Sequence, residues 1–338
     1  GELCSCPVTA EALTGALHAM AQQGNTPFGV YVTSPDYLGG VQELPALAAV
    51  CRAQGVPLLV DNAHGAYLRF LPQNCHPIAQ GAAMCCDSAH KTLPVVTGGA
   101  YLHLAHDAPV LNEAAVRGAL ALFGSTSPSY LILQSLDACN AVLAGDYPRR
   151  LAQCCAALEG LRRSLNKAAA ARQCPVLLAV AGAQQEPMKL TLDAAALGCT
   201  GTALAEALRR AQMECEYADP RYVVLMFTPE NPPQDYTRLQ TALEQLLAAV
   251  PAGLPRPENR AGEFAALQQQ AVQRCTIRQA VLGAQVRIPV HKALGRVCAM
   301  PTVSCPPAIP VAVSGEEITP AAIALMQRYG IEELSVLR

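Results

Sequence analysis

A chain of 338 residues that is 51% apolar can bury several cores, which excludes a fibre, a mini-protein or a disordered tail and predicts two or three domains. Only 15% of the residues are charged, the formal net charge is −2, and the lysines and arginines are scattered, so no basic face is offered to nucleic acid. Fifteen cysteines form an odd set whose close pairs, Cys4/Cys6, Cys85/Cys86 and Cys154/Cys155, match neither zinc-ligand spacing nor a disulfide framework, so they read as reduced thiols filling apolar space.

In chain order, FGVYVTSP (28–35) predicts a strand running into a turn, and VQELPALAAVCRAQG (41–55) an amphipathic helix closed by Gly55. VPLLVDNAH (56–64), GAAMCCDSAH (81–90) and GGAYLHL (98–104) add three short apolar runs, read as buried parallel strands covered by helices. A long helix is expected over Arg149–Ala171. After it come strands in PVLLAVAG (175–182), KLTLDAA (189–195) and YVVLMFT (222–228), with helices in GTALAEALRRAQ (201–212) and YTRLQTALEQLLAAV (236–250). The proline-rich PAGLPRPEN (251–259) reads as a linker, and SCPPAIPVAVSGEEITP (304–320) as the turn cluster of a last unit. The expected division is a large domain over 1–145, a small α/β domain over 146–250, a linker over 251–259 and a third unit over 260–338. No basic stretch followed by an apolar core opens the chain, and no apolar run approaches the ~20 residues that span a bilayer. A cytoplasmic protein without a membrane partner is expected.

Asp61 and Lys91 each follow the C-terminal end of an apolar run, where open α/β sheets bind their ligands. Singly, each signal has an ordinary reading: Asp61 as a helix cap, His64 as a core histidine, His90 and Lys91 as a surface pair. Histidines and cysteines do not stand at ligand spacing, so no metal is expected. Together, Asp61, Ser88, His90 and Lys91 supply an amine for an aldehyde, a carboxylate for a pyridine nitrogen and donors for a phosphate, the set that an amine-transforming cofactor needs.

The segments LLVDNAHGAYLRF (58–70), CCDSAHKTLPVVTGGAYLHL (85–104), GSTSPSYLILQSLD (124–137) and CPPAIPVAVSGEEIT (305–319) resemble the Orn/Lys/Arg decarboxylases, in order, from about residue 7 to the end. The resemblance implies an α/β fold: a fold type I large domain with a mostly parallel sheet that binds pyridoxal 5'-phosphate, a small α/β domain and a C-terminal α+β domain. It implies that Lys91 carries the cofactor aldehyde, Asp61 pairs with the pyridine nitrogen, and Ala63 packs on the ring face. His64, Ser88 and His90 would flank the ring or phosphate, with His90 a proton donor to the substrate carbon. Thr33, Ser34 and Tyr37 would line the same sheet edge, while Ser125, Thr126 and Ser127 would reach the phosphate in a neighbouring subunit, which makes the expected protein a homodimer. The implied activity is decarboxylation of arginine, lysine or ornithine, as in polyamine biosynthesis. Glu316 is the candidate partner for the substrate's distal cation, its other reading being a solvated loop carboxylate.

The resemblance also has gaps. The family's first large-domain strands, its Gly-Ser-Thr phosphate turn and its ring-stacking histidine lie upstream of the matched region, and Asn62, Tyr67 and Ala308 stand where many members have an acid, a histidine and a glycine. Two other readings therefore stay open. One is a different pyridoxal-phosphate reaction on Asp61, His90 and Lys91; an aminotransferase would have only Arg69 near the motifs for a substrate carboxylate. The other is a non-enzymatic partner subunit that cannot hold the phosphate. Against that stands the expectation that Lys91 sits at a strand end inside an apolar region, where a cation without a purpose is costly.

Overall fold

The computed structural model describes residues 7–108, 112–173, 184–251, 267, 269–304 and 309–338. The strand expected over 175–182, nearly all of the 251–259 linker, the Pro306-Pro307-Ala308 turn, and Cys4 and Cys6 lie outside the described residues.

Thr9 starts helix α1 (Ala10–Gln22) by accepting the Ala12 N–H on its hydroxyl at 3.2 Å, satisfying one orphan donor of the first turn. The buried Leu13 and Leu17 of α1 meet Leu44, Leu47 and Cys51 of helix α2 (Leu44–Ala53). Under them lies a four-stranded sheet of β1 (Val30–Thr33), β3 (Leu58–Asp61), β4 (Met84–Asp87) and β5 (Tyr101–Leu104), in the order β1-β3-β4-β5. The apolar runs form strands because both faces are covered: Leu58 and Val60 on one face of β3 and Leu59 on the other are all buried, and each such side chain contributes on the order of 1.5–3 kcal/mol relative to exposure.

Strands β1, β3 and β4 are parallel, in a register that places Thr33 beside Asp61 and Asp61 beside Cys86. Their C-terminal ends therefore deliver the chemically active residues to one edge. Strand β5 corrects the all-parallel expectation, because it runs antiparallel to β4 with Asp87 opposite Tyr101. The connection from Asp87 to Tyr101 is spent on the one-turn helix α3 (Ala89–Thr92) and a turn at Gly98–Gly99, where Gly98 takes φ +99°, so it never crosses to the sheet's far end.

Beyond the exposed helix α4 (Glu113–Phe123) and helix α5 (Tyr130–Ala144), which buries Cys139, the long helix α6 (Tyr147–Ala171) serves two cores. Its Tyr147, Leu151 and Leu158 pack with Tyr67, Ala89 and Leu93 of the first unit. Its Leu161, Leu165 and Ala169 pack with β7 (Lys189–Asp193), β9 (Tyr222–Met226), α7 (Gly201–Arg210) and α8 (Pro233–Ala249) of the second. The two units are also laced by a short antiparallel pair, β2 (Gly40–Val41) with β6 (Gln184–Gln185), and by Thr191, whose hydroxyl donates to the Leu38 carbonyl at 2.7 Å.

The C-terminal unit has its own core, including Val290, Ile318, Leu325, Leu334 and Val336. It pairs β10 (Gln285–Pro289) with β13 (Glu333–Leu337) and includes helix α9 (Ile277–Leu282), whose first turn is closed by a reciprocal cap between Thr276 and Gln279. Every described cysteine is free, and Cys51, Cys85, Cys139, Cys154 and Cys298 are buried. No helix among the described residues is long and apolar enough to cross a membrane.

Candidate active site

The site is built where β1, β3 and β4 end. Asp61 leaves β3 and bends the chain, its carboxylate accepting the Ala63 N–H at 3.1 Å and the Tyr31 hydroxyl at 3.2 Å. Burial, then the Asp61 charge, pushes the Tyr31 phenol up to about 12, so it stays a donor to that carboxylate. Beside it the chain leaves β4 through Ser88 into α3, held by the Lys91 N–H to Ser88 O bond at 3.0 Å and by the fully buried Ala89.

Lys91 is exposed, which corrects the expectation that it lies inside an apolar region. Its Nζ lies 3.2 Å from His64 Nε2. His64 is 5% exposed, and burial, with the charges of Lys189, Lys91 and His90, pushes its pKa down to about 2. It is therefore a neutral imidazole at physiological pH, and Nε2 accepts from the Lys91 amine. His90 is fixed differently: its Nδ1–H donates to the Gly99 carbonyl at 3.0 Å, leaving Nε2 as the atom that can take or give a proton.

The second unit closes one side. Tyr37 meets His64 edge to face with ring centroids 5.1 Å apart, and its hydroxyl donates to Glu216 at 3.0 Å. Lys189 is 2% exposed, and its Nζ donates to the carbonyls of Asp36 and Tyr37 at 3.1 and 3.2 Å, clamping the turn after β1. Burial lowers its pKa. Ser34 belongs to that turn: it is 1% exposed and its hydroxyl oxygen accepts the Gln42 N–H at 3.1 Å. Thr33 is exposed at the strand end.

The structure thus gathers Asp61, Ala63, His64, Ser88, His90 and Lys91 at one edge with Thr33. It places Ser125, Thr126 and Ser127 elsewhere, in an exposed turn between α4 and α5 where the Ser127 N–H donates to Ser125 Oγ at 3.1 Å. Glu316 is in the C-terminal unit, its carboxylate accepting the Val313 N–H at 3.0 Å.

Sequence spacing missed the support beneath the site. Asp87 is buried, and one of its oxygens accepts from His76 Nε2 at 3.0 Å and His103 Nε2 at 3.1 Å while the other accepts from Asn62 Nδ2 at 2.7 Å. Burial alone would raise its pKa, but the bonds from His103, His76 and Asn62 outweigh it and hold the carboxyl well below the usual range. His76, Cys85 and Asp87 bring potential ligand atoms within 4.8 Å of one another. Their separations are those of hydrogen bonds already made, and a cation would have to break them, so the group reads as an anchor for the β4–α3 corner.

An exposed amine, a carboxylate on the neighbouring strand end and the small Ala63 beside it suit a pyridoxal group, whose aldehyde, ring nitrogen and flat face need those three partners. The comparisons bear on the family and the fold. Residues 5–182, more than half of the chain, match the major domain of the Orn/Lys/Arg decarboxylases. An arginine decarboxylase of Bacillus subtilis (strain 168) is 28% identical over 298 residues, covering 86% of this chain and 59% of the relative. The structure of the constitutive lysine decarboxylase of E. coli superposes with a TM-score of 0.69 at 16% identity, over 98% of this chain and 61% of that one. Pyridoxamine-pyruvate aminotransferase from Mesorhizobium loti does so with a TM-score of 0.55 at 18% identity, over 72% and 64%. The chain spans less than two thirds of the length of each of these relatives.

Proposed function

Because the chain belongs to the Orn/Lys/Arg decarboxylase family, we propose that it removes the α-carboxyl group of a basic amino acid, arginine, lysine or ornithine, with pyridoxal phosphate held by Lys91 and Asp61. The observation that carries this reading is that β3 ends in the Asp61 carboxylate while the adjoining β4 leads through Ser88 into the one-turn helix that presents an exposed Lys91. Pyridoxal phosphate would supply an electron sink for the pair left on Cα as the bond to the carboxylate breaks and CO₂ departs. Asp61 would keep the ring nitrogen protonated, and Tyr31 and the Ala63 N–H hold its carboxylate in place for that task. His90 would return a proton to Cα from Nε2, since Nδ1 is committed to Gly99. Thr33 and Ser88 would face the ring or phosphate, and Glu316 is the proposed distal acceptor.

The test is borohydride reduction of the purified chain with pyridoxal phosphate, peptide mass mapping, and CO₂ release from the three amino acids. An adduct on Lys91 with release from one of them is expected. Release from none of the three would sink the substrate class.

The chain is also proposed to work as a homodimer. Leu122, Phe123 and Tyr130 are 81%, 90% and 86% exposed and flank the Ser125–Ser127 turn, an apolar stretch that water alone would not favour. Sedimentation is expected to show a dimer, and a Leu122→Asp, Phe123→Asp double variant a monomer. A monomeric parent chain would refute this.

A further inference from the structure

Behind the Lys91 amine the structure has a cavity of about 10 Å³, lined by His64, Tyr67, Thr92, Glu186, Met188, Lys189, Met226 and Phe227. That volume is roughly what one water needs, and a buried water needs two to four polar partners. Three buried polar atoms lacking any hydrogen-bond partner belong to residues of this wall: His64 Nδ1, Thr92 Oγ1 and Glu186 Oε1. We propose that one buried water joins these three atoms, and that Glu186 acts through it as a positioning residue that fixes His64 with its proton on Nδ1 and so keeps Nε2 as the acceptor for Lys91.

The donors and acceptors match. Glu186 is 1% exposed, and its Oε2 already accepts from the Tyr67 hydroxyl and from the Met188 N–H at 2.9 Å, so Oε1 is the end of the carboxylate left for the water. A neutral His64 that accepts from Lys91 on Nε2 carries its hydrogen on Nδ1, which makes Nδ1 a donor to the same water. The Thr92 hydroxyl can serve as either. The charged or titratable groups around the chain are Lys91, His90 and Lys189 near His64, and Tyr67, Lys189, Arg162 and Cys155 near Glu186. Burial raises the Glu186 pKa against the pull of Lys189, so the carboxyl responds to what its free oxygen meets.

This assignment gives the Lys91 amine a fixed hydrogen-bond acceptor, although a His64 whose pKa is pushed down to about 2 does not itself take the proton. The ammonium donates to His64 Nε2 3.2 Å away, which holds the amine in one direction, and the orientation of that acceptor is set two links deeper. The role of Lys91 as the reacting amine rests on the proposed function, but the tautomer of His64 does not.

Glu186→Gln makes the test sharp. The two donors at Oε2 demand an oxygen there, so the glutamine must turn its NH₂ toward the cavity. The water can accept from both donors, but its own hydrogens are then left with only the Thr92 hydroxyl as acceptor, so the Nδ1–H form loses the advantage that Glu186 gave it and the Nε2–H form is expected to gain population. Nitrogen-15 NMR of the cofactor-free chain should show His64 as the Nδ1–H tautomer in the parent and a clearly larger Nε2–H share in Glu186→Gln. The pH midpoint for borohydride trapping of pyridoxal phosphate at Lys91 should fall by about half a unit or more, as the ammonium loses its acceptor. The same substitution in a His64→Phe background should leave the midpoint unmoved. An unchanged tautomer in Glu186→Gln overturns the proposal, as does an equal midpoint shift without His64, which would mean a bare charge effect. Should Glu186→Gln not fold, a high-resolution crystal structure of the parent decides, because a cavity without a water bonded to His64 Nδ1 and Glu186 Oε1 overturns it. Failure to trap any adduct at Lys91 in the parent counts against the proposed function, with the NMR result still deciding the tautomer.

Discussion

Replacing Lys91 with alanine is expected to abolish the pyridoxal-phosphate adduct at position 91 and to lower CO₂ release by about 10³-fold or more. No other amine can take over. Lys189 is the nearest candidate through the shared His64, but it is 2% exposed and its Nζ is tied to the carbonyls of Asp36 and Tyr37. Removing Lys91 should also leave the fold intact, because its side chain is exposed while the corner is held by Ala89, the Leu93 N–H to Ala89 O bond at 2.8 Å and Asp87. Asp61→Asn provides the contrast. Asparagine keeps the shape and can still accept the Ala63 N–H, yet it cannot hold a proton on a ring nitrogen, so the adduct should persist while decarboxylation falls by about 10²–10³-fold. Peptide mass and CO₂ release, measured on both variants, separate attachment of the cofactor from its activation. An Asp61→Asn protein as fast as the parent would remove Asp61 from the chemistry.

Those two residues were legible in the sequence because each follows a strand-length apolar run, and the end of such a run in an open α/β sheet is a place on the map before any coordinates exist. The direction of β5 was less visible, since LHL in GGAYLHL is equally apolar in either orientation and only the brevity of the Asp87–Tyr101 link decides it. The sharing of α6 between two cores was hidden for a related reason: a helical period says which face is apolar, not which core each turn meets. The exposure of Lys91 is a tertiary fact that an apolar flanking sequence misstates. The wall behind it draws His64 and Thr92 from two of the motif segments but Glu186 from a stretch with no motif, and their relation exists only once β2 and β6 lace the units together.

Asp87 is a buried carboxylate on which three side-chain donors converge, and Asp87→Ala is expected to cost about 3–5 kcal/mol of stability in denaturant unfolding. The carboxylate is 3% exposed and accepts from His76, His103 and Asn62, so its removal leaves three donors facing a hole under the corner that carries Lys91. His103 is 39% exposed and can recover some water; His76 at 6% and Asn62 at 0% cannot, and they account for most of the loss. Asp87→Asn should cost less, about 1–3 kcal/mol, because the amide oxygen still accepts while its NH₂ opposes one donor. Acid sharpens the assignment. A carboxyl whose folded pKa is depressed below its unfolded value of about 3.9 contributes fully above that value and loses its contribution as pH falls toward the folded pKa. The gap in stability between the parent and Asp87→Ala should therefore be widest near neutral pH and narrow steadily below about pH 4. A gap that ignores acid would mean that Asp87 acts by filling space, and the three hydrogen bonds would lose their claim to hold the β4–α3 corner.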